Sequence, residues 1–319
     1  MRETPHRLIF LSFWLLFFAS STDALAQSVE RQITVSVVDS DGIPVSDLTP
    51  ADIIVTEDGL RREILSVRRD AEPKQIALLV DTSQAAGPAV RAFKAAAGAF
   101  VESMAENHQI SIISFGGTPR ILTEATEDLA KLRDGVDKIF SYSNTAGYLF
   151  DAVSETIQGF QRRSAARPII VVLASLGVDY SSAHDLDTLD HLKDAGVVMH
   201  TIVVSQSPVG PLGQASAFNQ RPDRGRGQTL ARGAGQGDSV ELNRFLDQGP
   251  IQTGGRRRDL KTSASTEQAV KDLTAQLRGQ YLVAYSRPGM LIPPEQIRVA
   301  VNRDGLDTRG TPVIVETDP

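Results

Sequence analysis

From Lys74 onward, short apolar runs alternate with longer stretches in which apolar residues return every three or four positions. The runs lie at Ile76 to Val80, Gln109 to Phe115, Pro168 to Ser175 and Val197 to Val204. Runs of this length, closed by turn-forming residues, suit strands buried on both faces of a parallel sheet. Between them, Val90, Phe93, Ala97, Phe100, Val101 and Met104 mark one helix, with Pro88 suited to its first turn. Leu129, Leu132, Val136 and Ile139 mark a second, and Leu149, Val153, Ile157 and Phe160 a third. Strands separated by helices imply right-handed crossovers and an α/β fold: a doubly wound, mostly parallel sheet of Rossmann-like character.

The flanks follow a different period. Apolar and polar residues alternate at Ile33, Val35 and Val37, and again over 52–56 and 63–67, with turn signals at Asp41-Gly42 and Asp58-Gly59. After the last helical pattern come YLVAYS, IRVAVNR and TPVIVE, also β in character. The leading and final strands are each too few to bury a face, so they are predicted to pair into one small accessory β module. Ser239 to Gln248 reads as a helix, and Ser265 with Gln268 reads as a capping box opening another through Leu277. Residues 205–238, rich in Gly, Arg, Gln and Pro without periodicity, read as a mobile loop. Its GAGQGD stretch has no strand before it, as a phosphate cradle requires, and its arginines read as solvated charge. The division expected is 1–26 signal, 27–72 β region, 73–286 α/β domain and 287–319 strands packing back on the β region.

The chain starts MRETPHRLIFLSFWLLFFASSTDALAQS, with arginines before a short apolar run and Ala-Leu-Ala at its end. That is the pattern of a cleaved export signal, and the run is shorter than the roughly 20 residues of a spanning helix. A secreted or periplasmic protein with no membrane anchor after cleavage is expected. Cysteine is absent, which excludes disulfides, thiolate metal sites and a lipid anchor on cysteine. A hydrophobic content of 41% suits a globular core, and a net charge of -6 argues against nucleic acid as a partner.

Candidate chemistry is sparse. The run IALLVDTSQA ends a strand on Asp81, followed by Thr82, Ser83 and Gln84. This is either the polar end of a buried strand or the start of a metal site. In HDLDTLDH, His184, Asp187 and His191 share a helical face, but zinc needs three or four converging ligands. A solvated helix start is the simpler reading. No Gly-x-Ser-x-Gly elbow occurs, and Ser83 has no histidine partner identifiable in sequence, so no enzyme is expected.

Four stretches in order, VVDSDGIPVSDLTPADIIVTEDG, IALLVDTS, the TGG of Thr253 to Gly255 and LRGQYLVAYSRP, carry a resemblance to the von Willebrand factor type A-related proteins exported by bacteria. The resemblance implies a metal-ion-dependent adhesion site beyond the carboxyl ends of the sheet strands. It would be built from an Asp-x-Ser-x-Ser turn, a Thr from a later loop and an Asp after a further strand, oxygen donors suited to magnesium. Asp81 and Ser83 match the first two places, while Ala85 stands where the second Ser belongs. In the later loop Gly147 takes the Thr place with Thr145 two residues early, and Ser175 takes the Asp place with Asp179 beyond it. A degenerate site of Asp81, Ser83, Thr145, Ser175 and Asp179 is therefore expected. Asp81 and Ser83 would be its only metal ligands, with no cofactor beyond weak magnesium. The function implied is non-catalytic binding of a protein partner. The alternatives are a carbohydrate-binding envelope protein acting through the β module and, behind it, a secreted hydrolase.

Overall fold

A computed structural model describes residues 28–141, 144–205, 234–289, 294, 297–309 and 314–315. The expected signal and all of the expected loop between 206 and 233 lie outside the described residues.

The chain order is β1 (Ser28–Asp39), β2 (Ile53–Glu57), β3 (Leu60–Arg69), β4 (Gln75–Val80), α1 (Val90–Met104), β5 (Gln109–Ser114), β6 (Arg120–Thr126), α2 (Leu129–Asp137), α3 (Leu149–Arg162) and β7 (Pro168–Ser175). It continues with α4 (Asp185–Asp194), β8 (Val198–Val204), α5 (Ala234–Thr253), β9 (Arg257–Leu260), α6 (Thr266–Arg278), β10 (Tyr281–Pro288), β11 (Ile297–Val301), β12 (Leu306–Arg309) and β13 (Ile314–Val315).

One sheet has the order β6-β5-β4-β7-β8-β9. Strand β4 runs parallel to both β5 and β7, β8 and β9 continue the parallel pairing, and β6 is antiparallel. The α/β expectation holds, because the apolar runs supply strands whose two faces are both covered. On one face Leu78, Val171 and Ile202 pack with Phe93 and Phe100 of α1 and Val270 and Leu277 of α6. On the other, Leu79, Val172 and Val203 pack with Val153 of α3, Leu192 of α4 and Phe245 of α5. Edge strands β6 and β9 went unanticipated because their residues, Leu260 apart, are exposed or only half-buried and carry no apolar run.

The second sheet is antiparallel in the order β11-β2-β3-β10-β1-β12, with β13 also on β1. It curls: Thr308 Oγ1 on β12 donates to the Val299 carbonyl on β11 at 3.1 Å. Ile33, Val35, Ile53, Val55, Val283 and Tyr285 fill its inner face. The leading and final segments thus share one sheet. Strand β10, expected inside the α/β unit, lies here instead, paired with β1 on one side and β3 on the other.

Two further expectations change. Helix α5 starts at Ala234 and ends at Thr253, enclosing the expected Ser239 to Gln248 helix, the end of the expected loop and Pro250. Proline cannot donate to the carbonyl four residues earlier, and that carbonyl, Leu246 O, instead accepts from Thr201 Oγ1 at 3.0 Å. The capping box at α6 does not form. Ser265 has helical backbone angles and makes no side-chain cap, while Gln268 Nε2 donates to Asp272 at 2.8 Å.

Candidate functional site

The chain reverses its direction of winding at β4, whose neighbours β5 and β7 follow it on opposite sides. In an open α/β sheet the crevice beyond the carboxyl end of such a strand is the natural ligand position. Asp81 stands there, one residue past β4, and its backbone N–H extends the ladder to Leu173 O at 2.9 Å. One carboxylate oxygen accepts the Ser83 N–H at 2.9 Å, and the other accepts the Ser175 N–H at 3.0 Å. Asp81 therefore ties its own turn to the end of β7. Next to it, Thr82 Oγ1 accepts the Gly116 N–H at 3.1 Å, tying the turn to the end of β5. A methyl group on Gly116 would lie 2.2 Å from the Thr82 carbonyl carbon, so only glycine allows this approach.

The carboxylate is almost wholly buried, at 2% exposure. Burial pushes its pKa up from the ordinary value, against the lowering effect of the Ser83 and Ser175 donors. Ser83 and Ser175 are similarly enclosed, and Ser175 Oγ has no hydrogen-bond partner among the described residues. Ala85 packs where a methyl on Gly177 would come within 2.8 Å of its Cβ. Its side chain faces the loop after β7 with carbon alone.

The later loop meets this turn through its backbone: the Thr145 carbonyl accepts the Gln84 N–H at 2.9 Å. Gly147 bridges to Gly116 on one side and to Asp179 on the other. Asp179 does not converge on the Asp81 carboxylate through any hydrogen bond. Its oxygens accept the Leu149 N–H at 2.6 Å, at the start of α3, and the Ser181 N–H at 3.0 Å. Burial raises the Asp179 pKa, with the neighbouring Asp151 charge adding to it and those donors opposing. Asp151 in turn accepts from the Ser182 and Ala183 amides.

The five expected residues thus gather in the loops at one end of the sheet, held by separate networks. Sequence reading did not find the roles of Thr82, Gly116, Asp151 and Ser181. The signal for Thr82 was present in the quoted turn, whereas Gly116 is betrayed only by the space around it. The motif Thr253 to Gly255 lies elsewhere, against β8. Thr253 Oγ1 accepts the Met199 N–H at 2.9 Å, and a Cβ on Gly255 would meet Met199 O at 1.8 Å. It is a packing motif. His184 and Asp187 are exposed, and no three His, Asp or Glu side chains converge among the described residues. Among the same residues no helix is long and apolar enough to cross a membrane.

Residues 76–177 match the family model described as von Willebrand factor type A domain. No curated protein matches the chain. Among solved structures, a von Willebrand factor type A protein from Catenulispora acidiphila is 8% identical over 90% of this chain and 74% of its own, with a TM-score of 0.49. An aerotolerance-related membrane protein from Bacteroides fragilis is 15% identical over 63% of this chain and 98% of its own, with a TM-score of 0.45. Proximal thread matrix protein 1 of the mussel byssus, solved with a zinc-occupied adhesion motif, is 12% identical over 70% of this chain and 49% of its own, with a TM-score of 0.48.

Proposed function

We propose, on the premise that residues 76–177 form a von Willebrand factor type A domain, that the chain is an exported, non-catalytic protein that binds a protein partner through the loops above its parallel sheet without a metal ion. The observation that carries this reading is that Asp81, 2% exposed, spends each of its carboxylate oxygens on a backbone amide, of Ser83 and of Ser175, while the neighbouring positions bring it no further carboxylate. A magnesium ion requires near-octahedral oxygen donors drawn largely from carboxylates and water. Here Ala85 offers a methyl group, Ser175 stands in a carboxylate's place, and Asp179 is engaged at the start of α3. This donor set does not fit the ion. Around it, Leu176 and Tyr180 expose 42% and 56% of their surface, apolar area that suits a protein contact better than a small polar ligand.

Immobilised full-length protein should retain a discrete protein from envelope or culture extracts equally with magnesium and with a chelator. Leu176→Ser combined with Tyr180→Ser should release it without changing the melting midpoint. Retention that requires magnesium and disappears in Asp81→Ala would overturn the metal-free reading, and retention indifferent to the loop variant would overturn the binding face.

A further inference from the structure

At the opposite end of the parallel sheet from Asp81, a cleft of about 530 Å³ opens between the α/β unit and the curled sheet. Its lining includes Arg69 at the end of β3, Lys271 and Arg278 on α6, and Ser103 in the last turn of α1, with Pro44 against Gly279. A Cβ on Gly279 would lie 2.5 Å from Pro44 Cβ, so the two modules meet there in close contact. Clefts of this size between modules are favoured positions for small ligands.

The cleft is lined by cations without a carboxylate among its lining residues, although the chain as a whole carries a net charge of -6. Nearby carboxylates are engaged elsewhere. Glu102 takes Arg133 at 2.6 and 3.0 Å, and Asp272 takes Arg258 at 3.2 Å. Of the three cations, Lys271 holds Glu267 at 2.7 Å, while Arg69 and Arg278 make no ion pair among the described residues. The Arg69 guanidinium is held 5.5 Å over the Tyr281 ring, and Tyr281 is itself fixed by donating to Val45 O at 3.1 Å. The plainer account is that Arg278 complements the carbonyl end of α6. The two helix ends here supply only about half a negative charge each, which leaves the cleft positive after the Lys271 pair is counted. His108, beside it, agrees in sign: burial, then Lys74, lower its pKa, and Arg278 contributes in the same direction.

We propose that this cleft binds the phosphate group of a phosphorylated ligand, with Arg69 and Arg278 as paired guanidinium donors and Ser103 as a hydroxyl donor, Lys271 remaining paired with Glu267. Guanidinium forks match phosphate oxygens bidentately. Donors arriving from β3, α1 and α6 outnumber what the two oxygens of a single carboxylate accept, whereas a phosphate presents more oxygens. The proposal is independent of the metal-free reading of the sheet top.

Calorimetric titration of the full chain at constant ionic strength tests it, with inorganic phosphate, a hexose 6-phosphate and phosphatidylcholine vesicles carrying phosphatidic acid as separate probes. Saturable binding of inorganic phosphate or the hexose phosphate, mutually competitive, is expected. Arg69→Gln and Arg278→Gln, both at exposed positions, should each weaken it about tenfold or more while leaving the melting midpoint in place. Binding by vesicles alone would mean attraction to a charged surface and would overturn the cleft. So would a lack of saturable binding to the soluble probes, or equal affinity in both variants.

Discussion

At the scale of single residues, the polar groups that matter are those deprived of water. His200 on β8 is 2% exposed, and neither ring nitrogen has a hydrogen-bond partner among the described residues. Burial, with the Arg256 charge adding to it, pushes its pKa down to about 4 from 6.5. The folded state therefore keeps the ring neutral, while the unfolded chain takes up a proton as pH falls below 6.5. Stability attributable to this residue is complete above pH 6.5, declines between 6.5 and about 4, and reaches its full loss below. At about 1.4 kcal/mol per unit, the loss is on the order of 3 kcal/mol. Denaturant melts of the protein and of His200→Leu across that range check this. The stability of the unaltered protein relative to His200→Leu should fall by that amount between pH 6.5 and 4, and parallel curves would refute the assignment.

At the scale of elements, α5 shows how much of the structure sequence reading reached and where it stopped. The strands and helices from Ile76 to Val204 were legible because burial on two faces demands unbroken apolar runs, and burial on one face demands helical spacing. The edge strands β6 and β9 were not, since an exposed edge leaves composition unconstrained. The apolar positions Leu242, Phe245 and Leu246 carried the expected helix only to Gln248, yet α5 runs on through Pro250 to Thr253, where a distant residue, Thr201, satisfies the carbonyl that proline orphans. Such a partner from another strand has no local signature. The candidate site was legible in the same partial way. Asp81 and Ser83 follow from the strand end, whereas the turning of Asp179 toward α3 depends on where Leu149 arrives. Thr201→Val preserves shape and removes the hydroxyl, leaving Leu246 O without this donor. It should cost about 1–3 kcal/mol, read as a lower urea midpoint at unchanged slope, with faster amide exchange in 247–253. A change within a few tenths would show that another donor reaches that carbonyl.

At the scale of the whole molecule, two segments carry the chain between the sheets, and they meet at Asp70. Its N–H donates to Gln280 O at 2.9 Å, joining the link that enters β4 to the link that leaves α6. Its carboxylate is wholly enclosed and holds Lys74 Nζ at 2.9 Å and the Arg167 guanidinium, while His108 Nδ1 accepts the Lys74 N–H at 3.3 Å. Burial by itself would raise the Asp70 pKa, but the charges and hydrogen bonds of Lys74 and Arg167 outweigh it and the pKa falls below 3.8. The contribution of Asp70 is accordingly present at neutral pH and lost only as pH falls through that depressed value. Asp70→Asn removes the charge at neutral pH and strands Lys74, which is 3% exposed, without a counter-ion. Breaking one side of a buried pair costs about 3–5 kcal/mol. Because the pair sits where the two sheets are linked, the loss should fall on their coupling: chemical unfolding of Asp70→Asn is expected to split into two transitions, the curled sheet melting first because it has fewer buried residues to hold it. Replacing Lys74 as well, in Asp70→Asn with Lys74→Met, removes the stranded charge and should recover part of the stability and the single transition. A single, equally cooperative transition in Asp70→Asn, or no recovery in the double variant, would show that the sheets are coupled by apolar contact rather than by this buried ionic cluster.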